Sequence, residues 1–363
     1  MRAGFLILAL TAVVTAAPAC APAPRVRYLG RVNPATKELT WPGTGVTFAF
    51  TGTSAAIGVT AASGGNSVSL VIDDGEPIII SEVAAGTPIT TPDLPHGNHT
   101  VVFRKRSEGQ YGTMAIGDIT TDGHLMAAPA ASKRQIDVIG DSITVGYGLD
   151  GTFPCSDSAA VQNNLKTYGP VAATALGADY HIMAWSGKGL IRNIAGDSLP
   201  SSPLLPQLYT RYGALDADGS YPFPASWSPQ AVVIALGTND FNYHMWDSTG
   251  QAYEARDPVD AAAFSDGMVA FVESIRAEHY PDAHFFLVTS PMLNDGYPSA
   301  EQAQKTTQTK ALSDAVARLG ETAHLIDWPS QGSEVGCDYH PNAATNAVAA
   351  DLLVEAIGAA LGW

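Results

Sequence analysis

The chain has 363 residues, 46% of them hydrophobic and only 15% charged, which excludes a disordered or fibrous protein and provides for a sizeable core. A formal net charge of −16 argues against a nucleic-acid partner, which would need Lys and Arg to displace counterions, and disfavours an anionic membrane surface. A neutral or weakly charged substrate suits this composition better.

Residues 1–20 read as an export leader. Arg2 supplies a positive start, Gly4 to Val14 is an apolar run too short to span a bilayer, and Ala17-Pro18-Ala19 offers the small residues a signal peptidase accepts. Cys20 follows directly. Lipid attachment there would give an anchored form, whereas cleavage after Ala21 would remove it. No membrane span is expected. Cys155 and Cys337 then remain, and two cysteines in an exported chain invite a disulfide.

Pro22 and Pro24 make a short stiff linker. Residues 25–122 predict strands and turns. Val46, Phe48 and Phe50 alternate with small or polar residues, as do Val68, Leu70 and Ile72. Asp74-Gly75 is a hairpin signal, and the turn cluster Pro95-His96-Gly97-Asn98 precedes His99 to Phe103. Short strands at this spacing predict a β-sandwich of about 100 residues. Residues 123–133 read as the joint between domains.

Residues 134–363 alternate strand and helix. Strands are predicted at Ile136–Ile139, Ile182–Trp185, Val232–Leu236, Phe285–Val288 and Leu325–Ile326. Helices are predicted from Tyr168 to Leu176, around Phe264 to Ile275 and Leu312 to Leu319, and from Ala343 to Leu361. Continuous apolar strands alternating with helices mean a parallel sheet covered on both faces, whose sites form beyond the C-terminal strand ends. The proline-rich stretch from Gly196 to Pro229 is expected to wrap the surface or shape a cleft.

Four short blocks carry the chemistry. Gly140-Asp141-Ser142, Ser186-Gly187 and Gly237-Thr238-Asn239-Asp240 each end a hydrophobic run, and Asp338-Tyr339-His340-Pro341-Asn342 precedes the last helix. Ser142 is the candidate nucleophile and His340 the base that takes its proton. The backbone N–H groups of Ser142 and Gly187 and the Asn239 amide are candidate oxyanion donors. Asp338 is the candidate to orient the far imidazole nitrogen, with Asp327 as substitute. Gly196-Asp197-Ser198-Leu199 repeats the nucleophile's letters, but no apolar strand precedes it. A Gly-x-Ser-x-Gly elbow is absent, since Thr144 takes its last position. No metal or other cofactor is expected, as no His-Glu-x-x-His or cysteine-pair pattern occurs. Trp185, Phe241, Tyr243, Trp246 and Trp328 lie near the blocks and are candidate substrate-binding aromatics.

These blocks resemble the SGNH (GDSL-type) hydrolases. The runs Gly140 to Gly148, Trp185 to Gly189, Gly237 to Phe241 and Gly336 to Asn342 look like carbohydrate esterase family 2. Ile72-Asp73-Asp74-Gly75 and Arg104-Lys105-Arg106-Ser107-Glu108 are similar to that family's first domain. The resemblance implies a jelly-roll sandwich ahead of a flavodoxin-like SGNH domain. It also implies removal of O-acetyl groups from xylan and related hemicelluloses such as glucomannan. Typical SGNH enzymes carry the acid three positions before the histidine, where this chain has Cys337. Some family members instead use a Ser–His dyad with a backbone carbonyl. The rival readings are a lipase or thioesterase for longer acyl chains, and a non-catalytic carbohydrate-binding protein.

Overall fold

The computed structural model describes Met1, residues 24–196 and residues 202–363. Residues 2–23, with Cys20 and all but the first residue of the expected leader, and residues 197–201, with the serine of the second Gly-Asp-Ser triplet, lie outside the described residues.

Two antiparallel sheets form the first half. One contains Val26–Leu29, Gly45–Gly52, Gly97–Lys105, Val68–Ile72 and Ile78–Ile80, with His124–Leu125 beside Gly45–Gly52. The other contains Glu38–Leu39, Gly112–Thr121, Ala55–Gly64 and Ile89–Thr90. Their inward residues interdigitate as one core, with Val46, Phe48 and Phe50 from one sheet and Ile57, Val59, Met114 and Ile116 from the other. Asp73 and Asp74 both have positive φ, as a type I′ hairpin turn requires, and Gly75 N donates to Ile72 O at 2.9 Å.

The second half is a five-stranded parallel sheet. Its spatial order is Asp179–Ala184, Gln135–Gly140, Ala231–Ala235, His284–Val288, Ala323–Ile326. Counted along the chain within this sheet, that is 2-1-3-4-5, the flavodoxin-like order, and the expected fold class is what the chain adopts. Ala261–Glu278 and Gln304–Leu319 pack on one face, and Tyr168–Ala175 and Ala343–Leu361 on the other. The last helix is long and apolar enough to cross a bilayer by composition. It nevertheless lays Ala349, Ala350, Leu353 and Ile357 into the sheet's core, where each buried Leu or Ile contributes about 2 kcal/mol.

The stretch from Gly196 to Pro229 does more than wrap the surface. Its helix Leu205–Tyr209 and residues Ala214 and Trp227 are part of the main core. It also helps bury an ion pair between the two halves. Arg31 Nη2 of the sandwich lies 3.5 Å from Asp137 Oδ2 of the parallel sheet, both side chains fully buried. Trp227 Nε1 and the Tyr209 hydroxyl donate to the same carboxylate at 2.8 and 3.0 Å. Removing one member of such a pair strands the other charge without its partner. Arg31→Ala is expected to destabilise the protein by about 3–5 kcal/mol, read as a lowered midpoint in urea unfolding. A midpoint unchanged from wild type would refute a structural role for the pair.

Candidate active site

Ser142 sits where the strand order reverses, one turn beyond the end of Gln135–Gly140. A Cβ at Gly140 would lie 1.9 Å from Thr144 Oγ1, so the tight exit from the strand needs glycine. Asp141, not Ser142, caps the following short helix, its Oδ1 accepting from Ile143 N at 3.0 Å. The serine hydroxyl is thereby left for other work. Burial raises the Asp141 carboxyl to about 7.

His340 Nε2 lies 2.9 Å from Ser142 Oγ. The two residues come from opposite ends of the domain's sequence and meet in one cleft. The other ring nitrogen, Nδ1, donates to the backbone carbonyl of Asp338 at 3.1 Å. A carbonyl can only accept, so Nδ1 carries the proton and Nε2 is left to accept from the serine hydroxyl. Tyr147 stacks on the imidazole with ring centroids 4.1 Å apart. Burial lowers the His340 pKa to about 4, against the opposing pull of Asp338.

The carboxylate of Asp338 corrects the sequence expectation. It accepts from Asp157 N at 3.0 Å and the Tyr147 hydroxyl at 3.2 Å, and makes no bond to His340. The reason is backbone geometry. Asp338 and Tyr339 both occupy positive φ, at 50° and 62°, which turns the Asp338 carbonyl rather than its side chain toward the ring. The Cys155–Cys337 disulfide, Asp338 N donating to Cys155 O, and Cys337 N donating to Gly148 O hold this turn. Asp327 is elsewhere, paired with Lys305 Nζ at 2.8 Å.

Gly187 has φ of 80° and follows Ser186 in a turn closed by Lys188 N donating to Trp185 O at 3.3 Å. Glycine is what the third position of such a type II turn demands. Asn239 Nδ2 donates to Lys188 O at 2.7 Å and reaches Asp141 Oδ2 at 3.4 Å. Asp240 accepts backbone N–H bonds from Leu190, Ile191 and Arg192, so the third block fastens the loop that carries the second. This role of Asp240 was visible in the sequence only as part of its block.

Ser142, Gly187, Asn239 and His340 border a cleft of about 750 Å³. The aromatic expectations divide. Trp185, Phe241 and Trp328 do not line it: Trp185 packs against the main core, Phe241 meets Phe264 edge-on, and Trp328 is buried against Tyr168. Tyr243 lines the cleft although it is almost wholly buried. Trp246 lines it and is 56% exposed, on a hairpin of His244–Trp246 with Ala252–Glu254. Sequence reasoning missed Tyr297 and Tyr339, both exposed on the rim, and Tyr147 beneath the imidazole. Among the described residues, no three His, Cys, Asp or Glu side chains are grouped to hold a metal ion.

Comparison with known proteins places both halves in families. Residues 28–129 match the carbohydrate esterase 2 N-terminal model, and residues 138–348 match the GDSL-like lipase/acylhydrolase model. An acetylxylan esterase / glucomannan deacetylase of Cellvibrio japonicus is 33% identical over 298 residues, covering 80% of this chain and 77% of that protein. Cellulase/esterase CelE of Acetivibrio thermocellus is 31% identical over 352 residues; the match takes in 94% of this chain but only 40% of that relative's length. Among solved structures, a carbohydrate esterase family 2 enzyme plus carbohydrate binding domain from Corynascus thermopiles (Myceliophthora fergusii) has 66% identity and a TM-score of 0.89. That match covers 93% of this chain and 100% of the other. A family two carbohydrate esterase from Clostridium thermocellum, solved with cellohexaose, has 29% identity and a TM-score of 0.79, covering 93% and 99%.

The role of Asp338 is open to direct measurement. Asn at this position keeps the backbone carbonyl and tolerates positive φ. Asp338→Asn is expected to keep kcat/KM on an aryl acetate within about tenfold of wild type, whereas a carboxylate that fixed the imidazole tautomer would cost about 10,000-fold.

Proposed function

Because the chain belongs to the GDSL-like lipase/acylhydrolase family, behind a carbohydrate esterase 2 N-terminal domain, we propose that it is a serine esterase removing O-acetyl groups from cell-wall polysaccharides such as xylan or glucomannan. The observation that carries this reading is the 2.9 Å approach of His340 Nε2 to Ser142 Oγ at an open cleft. The names of the Cellvibrio relative and of the family 2 structures support the carbohydrate ester as substrate.

In this mechanism Ser142 Oγ attacks the acetyl carbonyl carbon while its proton passes to His340 Nε2. The resulting oxyanion is held by the N–H groups of Ser142 and Gly187 and by the Asn239 amide, each such donor lowering the barrier by about 3–4 kcal/mol. Collapse expels the sugar oxygen, which takes the proton from His340. Water, activated by the same imidazole, then attacks the acetyl-serine and releases acetate. The Asp338 carbonyl keeps the ring in the one tautomer that performs both transfers.

The cleft exceeds what an acetyl group fills. Trp246, Tyr297 and Tyr339 stand exposed around it, as flat surfaces on which sugar rings stack. A polymer of that size is met outside the cell, which agrees with the leader expected in residues 1–20 and with the Cys155–Cys337 bridge. Mass spectrometry of the mature N-terminus distinguishes a soluble form from one lipidated at Cys20.

Acetate release from acetylated xylan, acetylated glucomannan and simple sugar acetates tests the reading. Ser142→Ala is expected to lower it by at least about 10,000-fold. Faster turnover of octanoyl than of acetyl esters would overturn the deacetylase assignment. The pH profile follows from His340. The base works only when neutral, so kcat/KM should hold steady down to about pH 5 and fall as pH drops through about 4. An acid limb centred in the usual imidazole range near 6.5 would refute a desolvated base.

A further inference from the structure

Lys105, Arg106, Ser107 and Glu108 leave the sandwich strand Gly97–Lys105 as four consecutive polar residues, each no more than 1% exposed. Such a run is expensive to bury unless every group is partnered. Lys105 Nζ donates to the Ser107 and Glu108 carbonyls at 2.7 and 3.1 Å, and Arg106 pairs with Asp150. Glu108 faces the other half of the protein. Its Oε2 accepts from Ser186 N at 2.9 Å, and its Oε1 accepts from Ser186 Oγ at 2.7 Å. Gln162 Nε2 and Gln110 Nε2 also donate to Oε1, at 2.9 and 2.6 Å. Four donors converge on one buried carboxylate.

Ser186 is the first corner of the turn whose second corner is Gly187. Turns of this kind interconvert by rotation of their central peptide, which here carries the Gly187 N–H. Because glycine tolerates either sign of φ, nothing in Gly187 itself opposes that rotation. The neighbours supply the restraint. Glu108 grips the turn before the peptide, Asn239 Nδ2 grips Lys188 O after it, and Ile194 N donates to Gly187 O at 2.8 Å. Of these anchors Glu108 alone comes from the sandwich.

We propose that Glu108 is a positioning residue for ester cleavage: the sandwich domain supplies a carboxylate that holds the Ser186–Gly187 turn with the Gly187 N–H presented to the oxyanion. This rests on the serine-esterase reading. Glu108 touches neither substrate nor the reacting atoms. A second line of contacts runs from it toward the imidazole. Gln162 Nε2 also donates to Asp157 Oδ2 at 2.7 Å, and Asp157 N donates to Asp338 Oδ2, beside the carbonyl that holds His340.

Glu108→Gln keeps the shape but points an N–H₂ group at one of the four donors. In the full-length protein it is expected to lower kcat on an aryl acetate by 10- to 100-fold while KM stays within about threefold. Affinity for a trifluoromethyl ketone, whose adduct places an oxyanion in the same position, should fall in parallel with kcat/KM; affinity for acetate should not change. Ser186→Ala loses the hydroxyl contact and keeps the N–H contact, so a two- to fivefold fall in kcat is expected. It also serves as the second variant if Glu108→Gln does not fold. A folded Glu108→Gln with wild-type kcat overturns the proposal, as does loss of thermal stability with unchanged response to the ketone. A Ser186→Ala enzyme with wild-type kcat overturns it too. Wild-type protein inactive on every acetyl ester overturns the esterase reading itself, and this proposal with it.

Discussion

The cleft depends on one hydrogen bond whose acceptor is a backbone carbonyl. The Asp338 carbonyl accepts from His340 Nδ1, and this bond alone decides that Nε2 is the nitrogen turned toward Ser142 without a proton. Presenting that carbonyl requires two successive non-glycine residues at positive φ, each unfavourable by about 1–2 kcal/mol. The surroundings are built to hold it: the disulfide on one side, the Cys155 carbonyl below, and two donors on the Asp338 carboxylate. The carboxylate therefore shapes the loop instead of pairing with the imidazole. A neutral acceptor also leaves desolvation as the dominant influence on the ring, consistent with its depressed pKa.

Much of this architecture was legible in the residues. Apolar runs followed by Gly-Asp-Ser, Ser-Gly and Gly-Thr-Asn-Asp marked three parallel strands and their ends, because a buried strand must finish in residues able to turn. The final helix, Ala343–Leu361, fell where its proline and small residues indicated. Gly112–Thr121 and Ala55–Gly64 were less legible, since glycine, alanine and threonine alternate there without a strong apolar signal. The hairpin bearing Trp246 was hidden for the same reason: three-residue strands carry too little pattern.

Side-chain direction was the other limit. Phe241 stands two residues from Asn239, and Trp185 immediately precedes Ser186, yet both turn toward the core. Nearness in sequence to a motif does not say which face of a one-turn helix or strand end a ring will take. Two further rings that line the cleft, Tyr297 and Tyr339, come from a loop and a single 3-10 turn whose paths depend on packing far away in sequence. Asp338 illustrates the point at a single residue. Its position two before the histidine was readable, but its left-handed backbone, and hence which of its oxygens meets the ring, was not.

The buried seam between the two halves has a consequence for how such proteins can be recombined. Arg31 with Asp137, Arg106 with Asp150, and Glu108 with Ser186 would each strand a desolvated charge or dipole if a cut were made between the halves. Modules exchanged by shuffling are joined through exposed linkers, and this seam is the opposite of one. A break at this seam would therefore cost both halves. In keeping with that, the alignment to the much longer CelE runs through 94% of this chain, spanning the seam without stopping at it.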